Sequence, residues 1–347
     1  MNRKYWIFIF FFLASLYACQ KEVIQSVETT ITGFEKPSNF TEPTYHFNTN
    51  TVTKDGFYLG KKLFYETMLS ADNTISCGSC HIQTSAFTHH GHTVSHGINN
   101  LLGNRNAPPI MNLAWSTSYM WDGGIADLDL QAVAPITNHV EMDETMANVL
   151  NKLRNSPEYP ALFKKAFGTA EITTANFLKS LSQFMVMCIS SNSKYDSVMR
   201  KEGNAAFTPI ESEGREIVKQ KCGECHKEPL FTDNSFRNNG ISVSLVNDEG
   251  RYLITQIDSD KYRFKVPSLR NLAYTAPYMH DGRFFTLDAV LDHYTSLVQN
   301  TPNLDPLLLQ NGLLGIPLTD AERTKIIAFL KTLDDKSFLF DKRFSEF

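Results

Sequence analysis

Two pentapeptides, Cys77-Gly78-Ser79-Cys80-His81 and Cys222-Gly223-Glu224-Cys225-His226, constrain this chain more than any other feature. In a Cys-x-x-Cys-His set, one helical turn brings two thiols to the vinyl-derived carbons of a single haem, and the next residue offers its imidazole to the iron. A four-cysteine zinc site or a dithiol redox pair gives no reason for a histidine after each set. The pattern predicts two covalently bound haem c groups, attached at Cys77 and Cys80 and at Cys222 and Cys225. His81 and His226 are then the proximal iron ligands.

Only Cys19 and Cys188 remain, so no natural pair is left for a structural disulfide. Cys188 shares a helical face with Phe177, Leu181 and Phe184 and reads as a small buried hydrophobe. Cys19 follows Arg3, Lys4, an apolar run from Tyr5 to Leu16, and Tyr17-Ala18. That run is short for a membrane span and reads as an export signal over 1–18 of the lipoprotein type, with Cys19 as the lipidated first residue. Gln20 suits an outer-membrane anchor facing the periplasm. Without the leader, 31 basic residues stand against 37 acidic ones. This mild acidity argues against a nucleic-acid partner and permits a basic protein partner.

The chain also repeats itself. The two Cys-x-x-Cys-His sets lie 145 positions apart, and threonine-initiated helices at Thr173 and Thr319 lie 146 apart. Between these markers, the twelve residues from Asn112 to Gly123 answer those from Asn271 to Gly282, with seven identities. Thr208-Pro209-Ile210-Glu211 and Thr319-Asp320-Ala321-Glu322 are capping-box helix starts, the first launching the helix that delivers Cys222. Ile326, Ile327, Phe329, Leu330 and Leu333 form an apolar face on the last helix. Strand-like alternation is scarce. The expected fold is mainly α, with two tandem cytochrome c-like domains and long haem-wrapping loops. The boundaries are a flexible segment over 19–45, one domain over 46–200 and another over 205–347, with the polar stretch from Ser190 to Asn204 as linker.

The halves differ chemically. Trp121 stands where the second half has His280, and only the first half continues through Asp127-Leu128-Asp129-Leu130-Gln131-Ala132 to Pro135 and Glu141-Met142. A carboxylate near an open haem face can carry a proton between the two oxygens of bound peroxide. Taken by itself, Glu141 reads rather as an ordinary surface carboxylate.

From about Gly56 to Leu333 the chain resembles the bacterial di-haem cytochrome c peroxidases and the related MauG enzymes of methylamine utilisation. The resemblance rests on Leu59-Gly60-Lys61-Lys62-Leu63-Phe64, Arg105-Asn106-Ala107-Pro108, Trp121-Asp122-Gly123, Gln131-Ala132 with Val140-Glu141-Met142, and Pro277-Tyr278-Met279-His280-Asp281-Gly282. It implies that the first haem reacts with hydrogen peroxide and the second transfers electrons. Glu141 is then the acid-base residue with Gln131 beside it, and Trp121 lies between the haems as an electron relay. It further implies a calcium ion held by Asn106 and the backbone carbonyls of Thr275 and Pro277, oxygen donors suited to a hard cation. A small cytochrome or copper protein would be the electron donor, and homodimers occur in the family.

Two positions depart from the peroxidase pattern. The histidine that blocks the first iron in many of these enzymes is replaced by Ile98 after Ser95-His96-Gly97, which favours an open first iron unless His89, His90, His92 or His96 substitutes. Fourteen residues after His280, the expected methionine is Tyr294, as in MauG. A phenolate ligand favours ferric and higher iron, with Met279 and His293 as rival ligands. The expected activity is peroxide reduction to water. The alternatives are a MauG-like oxidase that modifies a protein substrate, and a non-catalytic electron carrier.

Overall fold

The computed structural model describes residues 31–243 and 246–346. The leader and Cys19 fall outside them. Among the described residues there are six helices of nine or more residues: α1 (Lys54–Phe64), α2 (Met146–Asn155), α3 (Tyr159–Phe167), α4 (Thr174–Met185), α5 (Pro209–Lys221) and α6 (Asp320–Leu330). Strand is confined to two antiparallel pairs of two residues each, β1 (Phe236–Arg237) with β2 (Phe264–Lys265) and β3 (Leu309–Gln310) with β4 (Leu313–Leu314). Mainly α is therefore correct. No helix among the described residues is long and apolar enough to cross a membrane.

The helices start where side chains can satisfy their free N–H groups. Thr53 caps α1 at Gly56, and Thr173 caps α4 at Asn176. The two anticipated capping boxes form at Thr208 with Glu211 and at Thr319 with Glu322. Helix α5 runs directly into the second motif, with Cys222 as its C-cap. The first half differs from expectation, because α1 stops at Phe64 and Cys77–Cys80 forms its own single turn. Between them, Ser70 Oγ accepts the Thr74 and Ile75 N–H groups, a side-chain turn that competes with helix continuation.

The sequence repeat is also a structural one. α1 packs on α4 and α5 packs on α6, each pair crossing at a glycine. A Cβ on Gly60 would lie 1.9 Å from the Ser180 carbonyl oxygen, and one on Gly214 would lie 2.0 Å from that of Lys325. Only a residue without a side chain permits such close backbone approach. Asn112 and Asn271, both in the left-handed region, each open a short 3-10 turn.

Two hydrophobic clusters result. One gathers Phe57, Phe64, Phe87, Phe177 and Phe184, and the other gathers Tyr195, Val218, Phe231, Phe329 and Leu333. Cys188 is fully buried in the first, as its helical position implies. The predicted face of α6 is buried at Ile326, Phe329 and Leu330, and Leu333 just beyond the helix is buried with them.

The expected boundaries need correction. Ile31, Phe40 and Tyr45 are buried in the first cluster, so 31–45 is packed chain rather than flexible linker. Phe338, Leu339 and Phe344 join the first cluster from the C-terminal end, while Tyr195 belongs to the second. The stretch from Ser190 to Asn204 is exposed at Lys201 to Asn204 but packed at its start. Ser190, Ser191, Ser193 and Asp196 are buried, because carboxylates meet its backbone: Asp335 Oδ2 accepts from Ser191 and Asn192 N–H at 2.8 Å, and Asp196 Oδ2 accepts from Ser193 N–H. Asp196 also pairs in bidentate fashion with Arg270 at 2.8 Å, both side chains wholly buried. Burial alone would raise the Asp196 carboxyl, but Arg270 and Ser193 hold it below its ordinary value.

The glycine crossings yield a direct test. Gly60→Ala and Gly214→Ala are each expected to destabilise the holo protein by about 2–3 kcal/mol, because backbone must move to admit the methyl. Urea unfolding should show lower midpoints for both, with little change in slope.

Candidate haem sites and active site

Each motif holds its histidine in the same way. His81 Nδ1 donates to the Phe87 carbonyl at 2.7 Å, and His226 Nδ1 donates to the Phe231 carbonyl at 3.0 Å. A carbonyl can only accept, so the hydrogen resides on Nδ1 and the Nε2 lone pair is free for a metal. Burial lowers the pKa of both imidazoles and keeps them neutral. Phe87 and Phe231 are fully buried in the left-handed region, at φ 59° and 56°, which turns each carbonyl back to its histidine. Sequence reasoning missed these two phenylalanines. Their equivalent placement six and five residues after the histidines was the available signal.

Burial also raises the thiols, to about 12 at Cys77 and about 11 at Cys80, Cys222 and Cys225. All four are free cysteines. Two thiols, one neutral imidazole with Nε2 available and an adjoining cavity fit a covalently attached haem at the first motif. That cavity, about 300 Å³, is lined by Cys80, His81, Trp121, Gln131, Glu141 and Lys265 among others. A second, of about 50 Å³, shares Cys80, His81, Gln131 and Glu141 and adds Cys77 and Phe64.

The structure thus brings Glu141 and Gln131 to the slot that His81 faces. Asn138 Nδ2 donates to Glu141 Oε1 at 2.7 Å, fixing the carboxyl in place. Burial raises the Glu141 pKa, and the Asn138 hydrogen bond offsets part of the rise. Gln131 Nε2 approaches Met120 Sδ at 3.8 Å. The loop carrying Ile98 lies against the backbone of Glu141: Ile98 N–H donates to its carbonyl at 2.7 Å, and a Cβ on Gly97 would meet Val140 O at 2.2 Å. None of His89, His90, His92 and His96 lines either cavity.

Lys265 was not anticipated. Its ammonium donates to Ser118 O at 2.5 Å beside the larger cavity, and burial brings its pKa down to about 8. The apolar flanks Phe264 and Val266 were the only sequence signal that this lysine is interior.

Trp121 joins the halves. Its Nε1 donates to Asn106 O at 2.8 Å, and its carbonyl accepts from Lys265 N–H at 2.7 Å. Asn106 N–H in turn donates to His280 O at 2.7 Å. Arg105 spans the same seam, meeting Asp122 at 2.5 Å and Asp248 at 2.6 and 2.8 Å. The buried side chain of Asn106 donates to the His92 and Thr93 carbonyls, and Gly91 N–H reaches Ala276 O between Thr275 and Pro277. Asn106 and the Ala276 carbonyl thus both contact the Gly91–Thr93 loop.

Around the second motif, Tyr294 is the first residue after His293 in a π-helical turn, His293–Leu297. Such turns often mark functional positions. Burial raises its phenol to about 12, Asn239 opposes that by hydrogen bonding, and the nearby Cys222 and Cys225 add to the rise. The rival groups meet at the same residue: Asn239 Nδ2 donates to Met279 Sδ at 3.5 Å, and His293 Nε2 donates to Asn239 O at 3.0 Å. Asn239 was not singled out in the sequence, where it sits in an unremarkable Asn238-Asn239-Gly240 turn.

Residues 54–204 match the di-haem cytochrome c peroxidase family. The methylamine utilization protein MauG of Methylorubrum extorquens is 32% identical over 311 residues, 86% of this chain and 83% of its own. The cytochrome c551 peroxidase of Nitrosomonas europaea is 33% identical over 280 residues, covering 79% and 78%. Among solved structures, a MauG-like protein associated with microbial copper homeostasis is similar at a TM-score of 0.81 and 30% identity, over 90% of this chain and 98% of its own. The diheme peroxidase BthA of Burkholderia thailandensis shares the fold at a TM-score of 0.72 and 21% identity, over 83% and 87%. This chain belongs to the di-haem cytochrome c peroxidase family. It is an oxidoreductase of the peroxidase type, and family membership implies two haem c groups.

Haem content checks the attachment. Replacing Cys77 and Cys80 together with Ala is expected to leave one haem per chain by haemochrome assay, as is replacing Cys222 and Cys225 together. Retention of two covalent haems in either variant would contradict the assignment.

Proposed function

We propose that the protein reduces hydrogen peroxide to water at the first motif, taking two electrons from a small cytochrome or copper protein through the second. The observation that carries this reading is Glu141, buried, raised in pKa and anchored by Asn138 in the slot faced by His81. Haem supplies the redox-active iron, held by His81 at the first motif and by His226 at the second. Asn138 holds Oε1, so Oε2 takes the proton from the near oxygen of peroxide and returns it to the far oxygen as the bond between them breaks. With two further protons and two electrons, one peroxide becomes two waters. Gln131 positions the peroxide from the same wall, and Trp121 relays electrons across the seam. Supporting an iron open without prior reduction, Ile98 is buried against Glu141 and the nearby histidines lie outside the slot.

The halves are read as tandem cytochrome c-like units, and a calcium ion at Asn106, Thr275 and Pro277 would stiffen their seam. Export to the periplasm with a lipid on Cys19, anchoring to the outer membrane, completes the proposal.

One observation favours a second reading, modification of a protein substrate in the manner of MauG. Tyr294 lies in the π-helical turn His293–Leu297, and as a ligand at the second haem its phenolate would stabilise oxidised iron and let that site store an oxidising equivalent. Reduced cytochrome that fails to support turnover, while an added protein becomes oxidised, would favour it.

Because Glu141 must begin as a carboxylate, turnover should rise with pH through its raised pKa, above the range of an ordinary glutamate. Glu141→Gln is expected to lower turnover by about 10²–10⁴-fold and abolish that acid limb, with peroxide still binding. Unchanged turnover would remove Glu141 from the mechanism. Tyr294→Phe is expected to alter the ferric spectrum of the second haem and raise its potential; an unchanged spectrum would assign the ligand to Met279 or His293.

A further inference from the structure

Three histidines outside the slot form a cluster that the peroxide chemistry does not use. His89 is buried, His96 half-buried and His92 exposed, so the cluster runs from the interior to solvent. His92 Nδ1 and His96 Nε2 are 3.2 Å apart. The His89 ring stacks on that of His92 with centroids 4.1 Å apart, and lies 5.6 Å from that of His96. His89 Nδ1 is buried without a hydrogen-bond partner. An imidazole nitrogen hidden from water and left unpaired is costly unless something else takes its lone pair or hydrogen.

We propose that His89, His92 and His96 bind one borderline divalent transition-metal ion of the copper or zinc class. Two nitrogens each about 2.0–2.1 Å from a tetrahedral ion stand roughly 3.4 Å apart, close to the spacing of the His92 and His96 nitrogens. Those two supply the first pair of ligands, and rotation of the His89 ring out of its stack supplies the third. The fourth position opens to water on the His92 side. Three neutral imidazoles suit copper and zinc and exclude magnesium or calcium, which require oxygen donors.

The position has structural reach. His96 O lies 3.3 Å from Cys80 Sγ, and His92 O accepts from Asn106 Nδ2 at 3.1 Å. An ion here would pin the loop that runs from the first haem attachment to the seam between the halves. Among the described residues, only His46, Asp127 and Asp129 already hold three ligand atoms within metal-binding range of one another, so the histidine cluster requires the His89 rotation to become a site. The His46 group is explained without a metal, since His46 lies 3.6 Å from both carboxylates and Tyr45 and Asn50 already bond Asp129. It therefore serves as the competing site in the test.

The experiment uses the chelator-treated holo protein, titrated with copper(II) chloride and, separately, zinc chloride. Wild type should bind one equivalent, with nitrogen hyperfine structure in the copper spectrum. His92→Ala with His96→Ala should weaken binding at least about tenfold. His89→Phe, which preserves the stacked ring, should also weaken it, while His46→Ala and His90→Ala should not. Haem content and circular dichroism identify variants that fail to fold; the exposed single variant His92→Gln then provides the reading. The proposal is overturned if His92→Gln binds like wild type, if His46→Ala abolishes binding, or if loss of the cluster changes the spin state of ferric haem in metal-free protein, which would make a histidine an iron ligand.

Discussion

Direct contact between helix backbones at Gly60 and Gly214 is the constraint on which the rest of the molecule depends. Where α1 meets α4 and α5 meets α6, no side chain separates the helices, so their relative placement is set by main-chain atoms. That placement puts Phe64 on the wall of the first slot and Cys222 at the end of α5. The imidazoles are aligned by a separate device, the left-handed Phe87 and Phe231. Frame and alignment together present a neutral Nε2 at each motif before any question of reactivity arises.

The halves are repeated in design but bound into one body. Arg270 of the second half pairs with Asp196 and lies 4.9 Å from the ring of Phe40, near the beginning of the described chain. Asp335 closes the backbone of Ser191 and Asn192, and Phe344 returns to the first cluster. A buried ion pair of this kind adds little over a well-packed apolar pair, but losing one partner leaves a stranded charge worth about 3–5 kcal/mol. Asp196 is held below its ordinary pKa, so its contribution is present above the usual carboxylate range and is lost as pH falls through its lowered value.

Much of this was legible in the sequence, for identifiable reasons. The two Cys-x-x-Cys-His sets, the Thr208 and Thr319 caps and the apolar face of α6 are local patterns, and local physics produces them. The place of Glu141 came from resemblance, because no local rule tells a slot carboxylate from a surface one. The limits of the halves were misread because Ser190 to Asn204 has the composition of a linker, while the carboxylates that bury its start lie far away or, as Asp196, look solvent-facing in sequence. Lys265 and Asn239 were missed for a related reason. Each matters through tertiary neighbours, Ser118 for one and Met279, His293 and Tyr294 for the other.

Trp121 is held at both ends, by Asn106 through its indole nitrogen and by Lys265 through its carbonyl, with Arg105 clamping the aspartates around it. A ring pinned in this way makes a poor hinge. An electron passing through it would meet a gap of nearly constant width, so the speed of such a transfer would be adjustable mainly through its driving force.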